Sequence, residues 1–172
     1  MASAKDYGTT KMHRIMWIGS ERIADEPIRW TRSIKTAFVD TAPIIYYIEA
    51  HPQFGPLAKE IVDSFRSGKL IALSSVITLV EVLPKPVESG NDVLAKKFSE
   101  FLKTGKNIKL LDISAEIAEL AGNMRGQYPS LKAMDAIQIA VSINAGAGAF
   151  ITNDAKLRQV KELRFIVLKD YL

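Results

Sequence analysis

Cysteine is absent from the 172 residues, which excludes disulfides, thiolate nucleophiles and Cys-based zinc sites. Its absence fits a reducing compartment, and a cytoplasmic protein is expected. Histidine is scarce. His13 lies in an N-terminal segment that resists assignment and His51 precedes Pro52, so both are expected at the surface rather than in general base work. No long apolar run is present. The longest uncharged stretch, 136–153, contains Gln138, Ser142 and Asn144 and is broken by Gly146 and Gly148. It reads as a buried helix plus a strand, not a membrane span, and the N-terminus lacks the apolar core of a signal peptide. A strong charge of one sign is also missing from the main body. The net charge of +4 is concentrated in residues 1–36, which hold seven basic and four acidic groups and leave 16 against 15 for the remainder. Any attraction of that remainder to nucleic acid must therefore be local or metal-mediated.

What is present suits one α/β domain with a sizeable core, since 48% of the residues are hydrophobic. From residue 36 onward short β-type runs alternate with amphipathic stretches, the rhythm of βαβ units around a parallel sheet. Strands are expected at 37–40, 70–73, 108–111, 149–152 and 165–168. Helices are expected at 44–48, 57–65, 76–83, 93–102, 115–124 and 133–143. Pro84-Lys85-Pro86 should stop the third helix, Ser114 should cap the fifth, and Gly146 should end the sixth. Residues 1–35 do not share this rhythm and form an N-terminal extension of unassigned structure beside a domain spanning 36–172.

Four acids interrupt the core-forming segments. Asp40 ends Ala37-Phe38-Val39, Glu81 lies within the run from Val76 to Leu83, Asp135 precedes Ala136-Ile137-Gln138-Ile139, and Asp154 follows Phe150-Ile151-Thr152-Asn153. An ionised carboxylate is costly to bury without a partner, and a shared cation is the simplest partner for four. In an open parallel sheet ligands collect beyond the carboxyl ends of the strands, where Asp40 and Asp154 are expected. An all-oxygen site of this kind suits Mg²⁺ or Mn²⁺ better than zinc. Each acid also has a plainer reading: Asp135 and Asp154 as helix N-caps, Asp40 as the start of a turn with Pro43, Glu81 as half of a buried ion pair. Arg125, Lys132, Lys156 and Arg158 flank the acidic segments and are candidates for phosphate contacts, with solvated surface charge as the default. A dinucleotide-binding domain is disfavoured, because Asp40 is followed by Thr41-Ala42-Pro43 without the glycines that let a backbone approach a pyrophosphate.

The segments AFVDTAPIIYYIEA, ALSSVITLVEVL, LKAMDAIQIAVSINAGAGAFITND and RFIVL, with the order and spacing of their four acids, resemble the PIN-domain family of metal-dependent nucleases, in particular the short VapC-like toxins. The resemblance spans 36–172. It implies a three-layer α/β/α fold around a parallel five-stranded sheet ordered 3-2-1-4-5. It also implies acidic Mg²⁺ or Mn²⁺ ligands at Asp40, Glu81, Asp135 and Asp154, with Thr41, Thr152 and Asn153 supporting them. The activity implied is hydrolysis of RNA phosphodiester bonds by a toxin, with an antitoxin protein and a second copy of the chain as partners. A non-catalytic RNA-binding module is the alternative. The Ala42-Pro43 pair departs from the pattern, since many members carry Ser or Asn followed by a small apolar residue there.

Overall fold

The computed structural model describes residues 34–172. The expectation for His13 lies outside the described residues. Five strands, β1 (Thr36–Val39), β2 (Ile71–Ser75), β3 (Ile108–Leu111), β4 (Phe150–Thr152) and β5 (Phe165–Val167), form one all-parallel sheet in the order β3-β2-β1-β4-β5. Parallel strands carry helices on both faces and are buried on both sides, and the side-chain alternation shows it. Ala37, Val39, Ala72 and Ile151 point into a core shared with α1 (Thr41–Ile48), α2 (Gly55–Arg66) and α5 (Asp92–Thr104). Phe38, Leu73 and Phe150 point into a second core under α6 (Ala115–Gln127) and α7 (Ala133–Asn144). Phe38 pairs with Phe150 across the β1–β4 ladder, and their rings stack with centroids 4.9 Å apart.

Local chemistry explains most of the boundaries. The Ser114 hydroxyl accepts from Ile117 N–H at 3.3 Å and caps α6, with Glu116 in its first turn. Gly146, at φ 65, ends α7: its N–H reaches Ile143 O at 3.0 Å and Ala147 N–H reaches Ser142 O at 3.0 Å. This paired closure needs a left-handed residue, which glycine supplies without a Cβ clash. Ser114→Ala is expected to lower stability by about 1 kcal/mol in urea denaturation, and an unchanged midpoint would show that water caps α6 equally well.

Two expectations are corrected. Pro84-Lys85-Pro86 follows the end of α3 (Val76–Val82), but it also opens a further short helix, α4 (Pro84–Glu88). Proline at a first helical position loses no hydrogen bond, because that N–H has no intrahelical partner in any case. Asp40, expected as the last strand residue, stands outside β1 and caps α1. Among the described residues no helix is long and apolar enough to cross a membrane.

Candidate acidic site at the sheet edge

The strand order places a switch point between β1 and β4. The chain leaves β1 to build β2 and β3 on one side and returns to the other side as β4, so the connections diverge and open a crevice at the carboxyl edge. Asp40 follows β1 directly, and its carboxylate accepts from Thr41 N–H at 2.8 Å. Thr152, the last residue of β4 and fully buried, donates its hydroxyl to Asp40 at 2.6 Å and accepts from Asp154 N–H at 3.0 Å. One hydroxyl thus joins the ends of the two central strands. Asp154 also caps the 3₁₀ turn Ala155–Gln159, accepting from Lys156 N–H at 2.8 Å.

The other two acids come from helices. Glu81 sits near the end of α3, where Oε2 accepts from the Thr41 hydroxyl and, at 2.8 Å, from Gln138 Nε2. Asp135 lies in the first turn of α7, three residues before Gln138, a spacing that puts the two on neighbouring positions of one helix face. Lys132 takes the N-cap position of α7, so Asp135 is not the helix cap. Neither Glu81 nor Asp154 is buried: both are exposed, while Asp40 and Asp135 are half-buried. The apolar run around Glu81 is misleading because α3 is short and turns one side to solvent, leaving Val80 56% exposed.

The acids are electrostatically coupled. Burial pushes the Asp40 carboxyl up to about 6 from 3.8, the charges of Glu81 and Asp135 push in the same direction, and the hydrogen bonds from Thr152 and Thr41 oppose them. Asp135 is raised chiefly by burial and further by Asp154 and Glu81, against the pull of Lys132. Each of the four carboxylates therefore acts on at least one of the others. Among the described residues, however, no three His, Cys, Asp or Glu side chains are disposed to hold an ion as they lie. Thr152 and the Thr41 N–H bond the Asp40 carboxylate, the Thr41 hydroxyl and Gln138 bond Glu81, and Lys156 N–H bonds Asp154. The donor chemistry nevertheless fits a hard divalent cation, which would relieve the mutual repulsion.

Other candidates fall elsewhere. Asn153 faces away from the acids: its amide donates to Tyr46 Oη at 3.0 Å and its oxygen accepts from Lys169 N–H at 3.1 Å. His51 is not a surface residue but half-buried against Tyr46 and Phe54, with Nδ1 accepting from the N–H groups of Gln53 and Phe54 at 3.2 Å. Arg158 pairs with Asp170, and Arg125 donates to Leu131 O at 3.4 Å. The residue that sequence reading passed over is Gln138, 1% exposed and bonded to both Glu81 and Thr41. Its signal was available: an amide inside the apolar run Ala136-Ile137-Gln138-Ile139, one turn from an acid.

The PIN domain family model matches residues 37–163. No curated protein matches the chain. Among solved structures, the fold is similar to VapBC2 from Rickettsia felis bound to a DNA fragment from its promoter, with 17% identity over 77% of this chain and 98% of that one and a TM-score of 0.60. A toxin-antitoxin complex from Klebsiella pneumoniae matches at 20% identity over 77% and 97%, with a TM-score of 0.59. VapC20 from Mycobacterium tuberculosis, a sarcin-ricin loop cleaving toxin, matches at 18% identity over 74% and 98%, with a TM-score of 0.59. At these identities the likeness is one of fold.

Proposed function

Because the chain belongs to the PIN domain family, we propose that it is a metal-dependent endoribonuclease and the toxin of a toxin-antitoxin pair. One observation carries the reading: acids from four separate segments couple electrostatically at the switch point of a parallel sheet, and the half-buried pair, Asp40 and Asp135, both resist ionisation. Such strain is retained at sites that use it, and structural caps alone would not require it. Asp40, Glu81, Asp135 and Asp154 would hold one or two Mg²⁺ or Mn²⁺ ions. A bound divalent cation supplies an activated water at neutral pH and stabilises charge on the attacked phosphate.

The chain's own residues prepare that chemistry. Thr152 and the Thr41 N–H fix the Asp40 carboxylate and favour its ionised form against burial, and Thr41 together with Gln138 directs Glu81. Lys132, beside Asp135, is placed to meet a phosphate approaching the acids. An antitoxin partner is proposed because similar folds occur within VapBC complexes. Total cellular RNA incubated with the protein and Mn²⁺ should yield discrete fragments, and Asp40→Asn should yield none. Intact RNA from a folded, Mn²⁺-loaded wild-type protein would sink the nuclease reading.

A further inference from the structure

We infer that Gln138 is a positioning residue that holds Glu81 toward the other acids without cancelling its charge. The inference rests on the metal-dependent reading only for its metal arm. An amide is costly to bury unless hydrogen-bonded, and Gln138 is essentially fully buried within the apolar face of α7. Its Nε2 reaches Glu81 Oε2 at 2.8 Å and Thr41 Oγ1 at 3.4 Å, while Oε1 has no partner among the described residues. A carboxylate accepts but cannot donate, so the nitrogen must face Glu81 and the oxygen is left over. The orientation is therefore dictated by Glu81 rather than by satisfaction of the amide itself.

Glu81 needs such a hold. It is an exposed residue on a seven-residue helix, with a long side chain free to turn to solvent. Its charge bears on both Asp40 and Asp135. Gln138 lies on the helix that carries Asp135, and Thr41 adjoins Asp40. Their two donors converge on one carboxylate oxygen, tying α3 to both neighbouring acidic segments. A lysine or arginine here would tether Glu81 as well, but would neutralise it and compete with a cation. A neutral donor orients the carboxylate and leaves its charge available.

Two measurements test this. In metal-free protein the side-chain amide resonances of Gln138 should shift on Glu81→Gln, because the charge-assisted bond is lost; resonances that stay in place would overturn the contact whatever the metal does. In Mn²⁺ titrations followed by electron paramagnetic resonance, Gln138→Met should bind the ion about tenfold more weakly than wild type. The same change in a Glu81→Gln background should alter affinity by less than about twofold, since no carboxylate remains to be held. Equal affinities for wild type and Gln138→Met, or an undiminished loss in the Glu81→Gln background, would overturn the positioning role while leaving the nuclease reading intact. Failure of the wild type to bind Mn²⁺ would overturn the nuclease reading instead, and the resonance shift would decide Gln138 by itself. Should Gln138→Met fail to fold, Gln138→Leu, equally apolar and without a donor, replaces it, with the same loss of affinity expected.

Discussion

Asp135→Asn should fold normally and lose at least roughly a hundredfold in RNA cleavage, about 3 kcal/mol of barrier. The two halves of that expectation have separate causes. Asp135 is not the cap of α7, since Lys132 holds that position, so no capping bond is removed. An acid in a first turn gains about 0.3–1 kcal/mol from the helix dipole, but burial and the charges of Asp154 and Glu81 work against Asp135. The net change in stability should therefore be within about 1 kcal/mol of zero. Activity has no such compensation, because a ligand carboxylate both neutralises the cation and fixes where its water stands. Cleavage rates and urea midpoints measured on the same preparation distinguish these outcomes. Wild-type cleavage in folded Asp135→Asn would remove Asp135 from the site and leave Asp40, Glu81 and Asp154 to carry the chemistry.

Asp40→Asn should be more stable than wild type at pH 7.5 without metal, by as much as roughly 3 kcal/mol. The Asp40 carboxyl is raised from 3.8 to about 6 in the folded chain, so the native state holds its proton more tightly than the unfolded state does. Its contribution to stability is present in full below pH 4 and is lost as pH rises to 6. Asparagine retains the capping ability of aspartate and carries no charge, so its advantage should be absent near pH 4, grow as pH rises and be complete above pH 6. Chemical denaturation in chelator at pH 4 and pH 7.5 measures the difference. Mn²⁺ at about a hundred times its dissociation constant should then stabilise the wild type by roughly 2.7 kcal/mol and Asp40→Asn by much less. A wild type indifferent to saturating Mn²⁺ would count against a metal site at these acids.

The sequence was most informative where structure is local. The β/α alternation, the Ser114 cap and the Gly146 closure follow from side chains acting within a few residues, and the order of the strands was accessible because the acidic segments resemble a family whose sheet is known. Where the sequence misled, a local pattern met a tertiary setting it does not contain. Val80 and its neighbours promised a buried Glu81, yet α3 lies at the rim with one side open. Pro84 promised only an end, yet Leu83 and the free first turn let it begin α4.

By itself, then, the sequence determined the fold class and most of the elements, because periodicity, capping and turn preferences are properties of neighbouring residues, and it singled out four acids as candidates. The tertiary structure decided what those acids meet. It turned Asp40 and Asp154 into caps that share the Thr152 hydroxyl, set Lys132 rather than Asp135 at the head of α7, faced Asn153 toward Tyr46, and brought Gln138 onto Glu81 across 57 residues of chain. Hydrogen bonds and charge coupling depend on distances of a few ångströms between remote segments, and those distances exist only after the sheet has closed its order around β1.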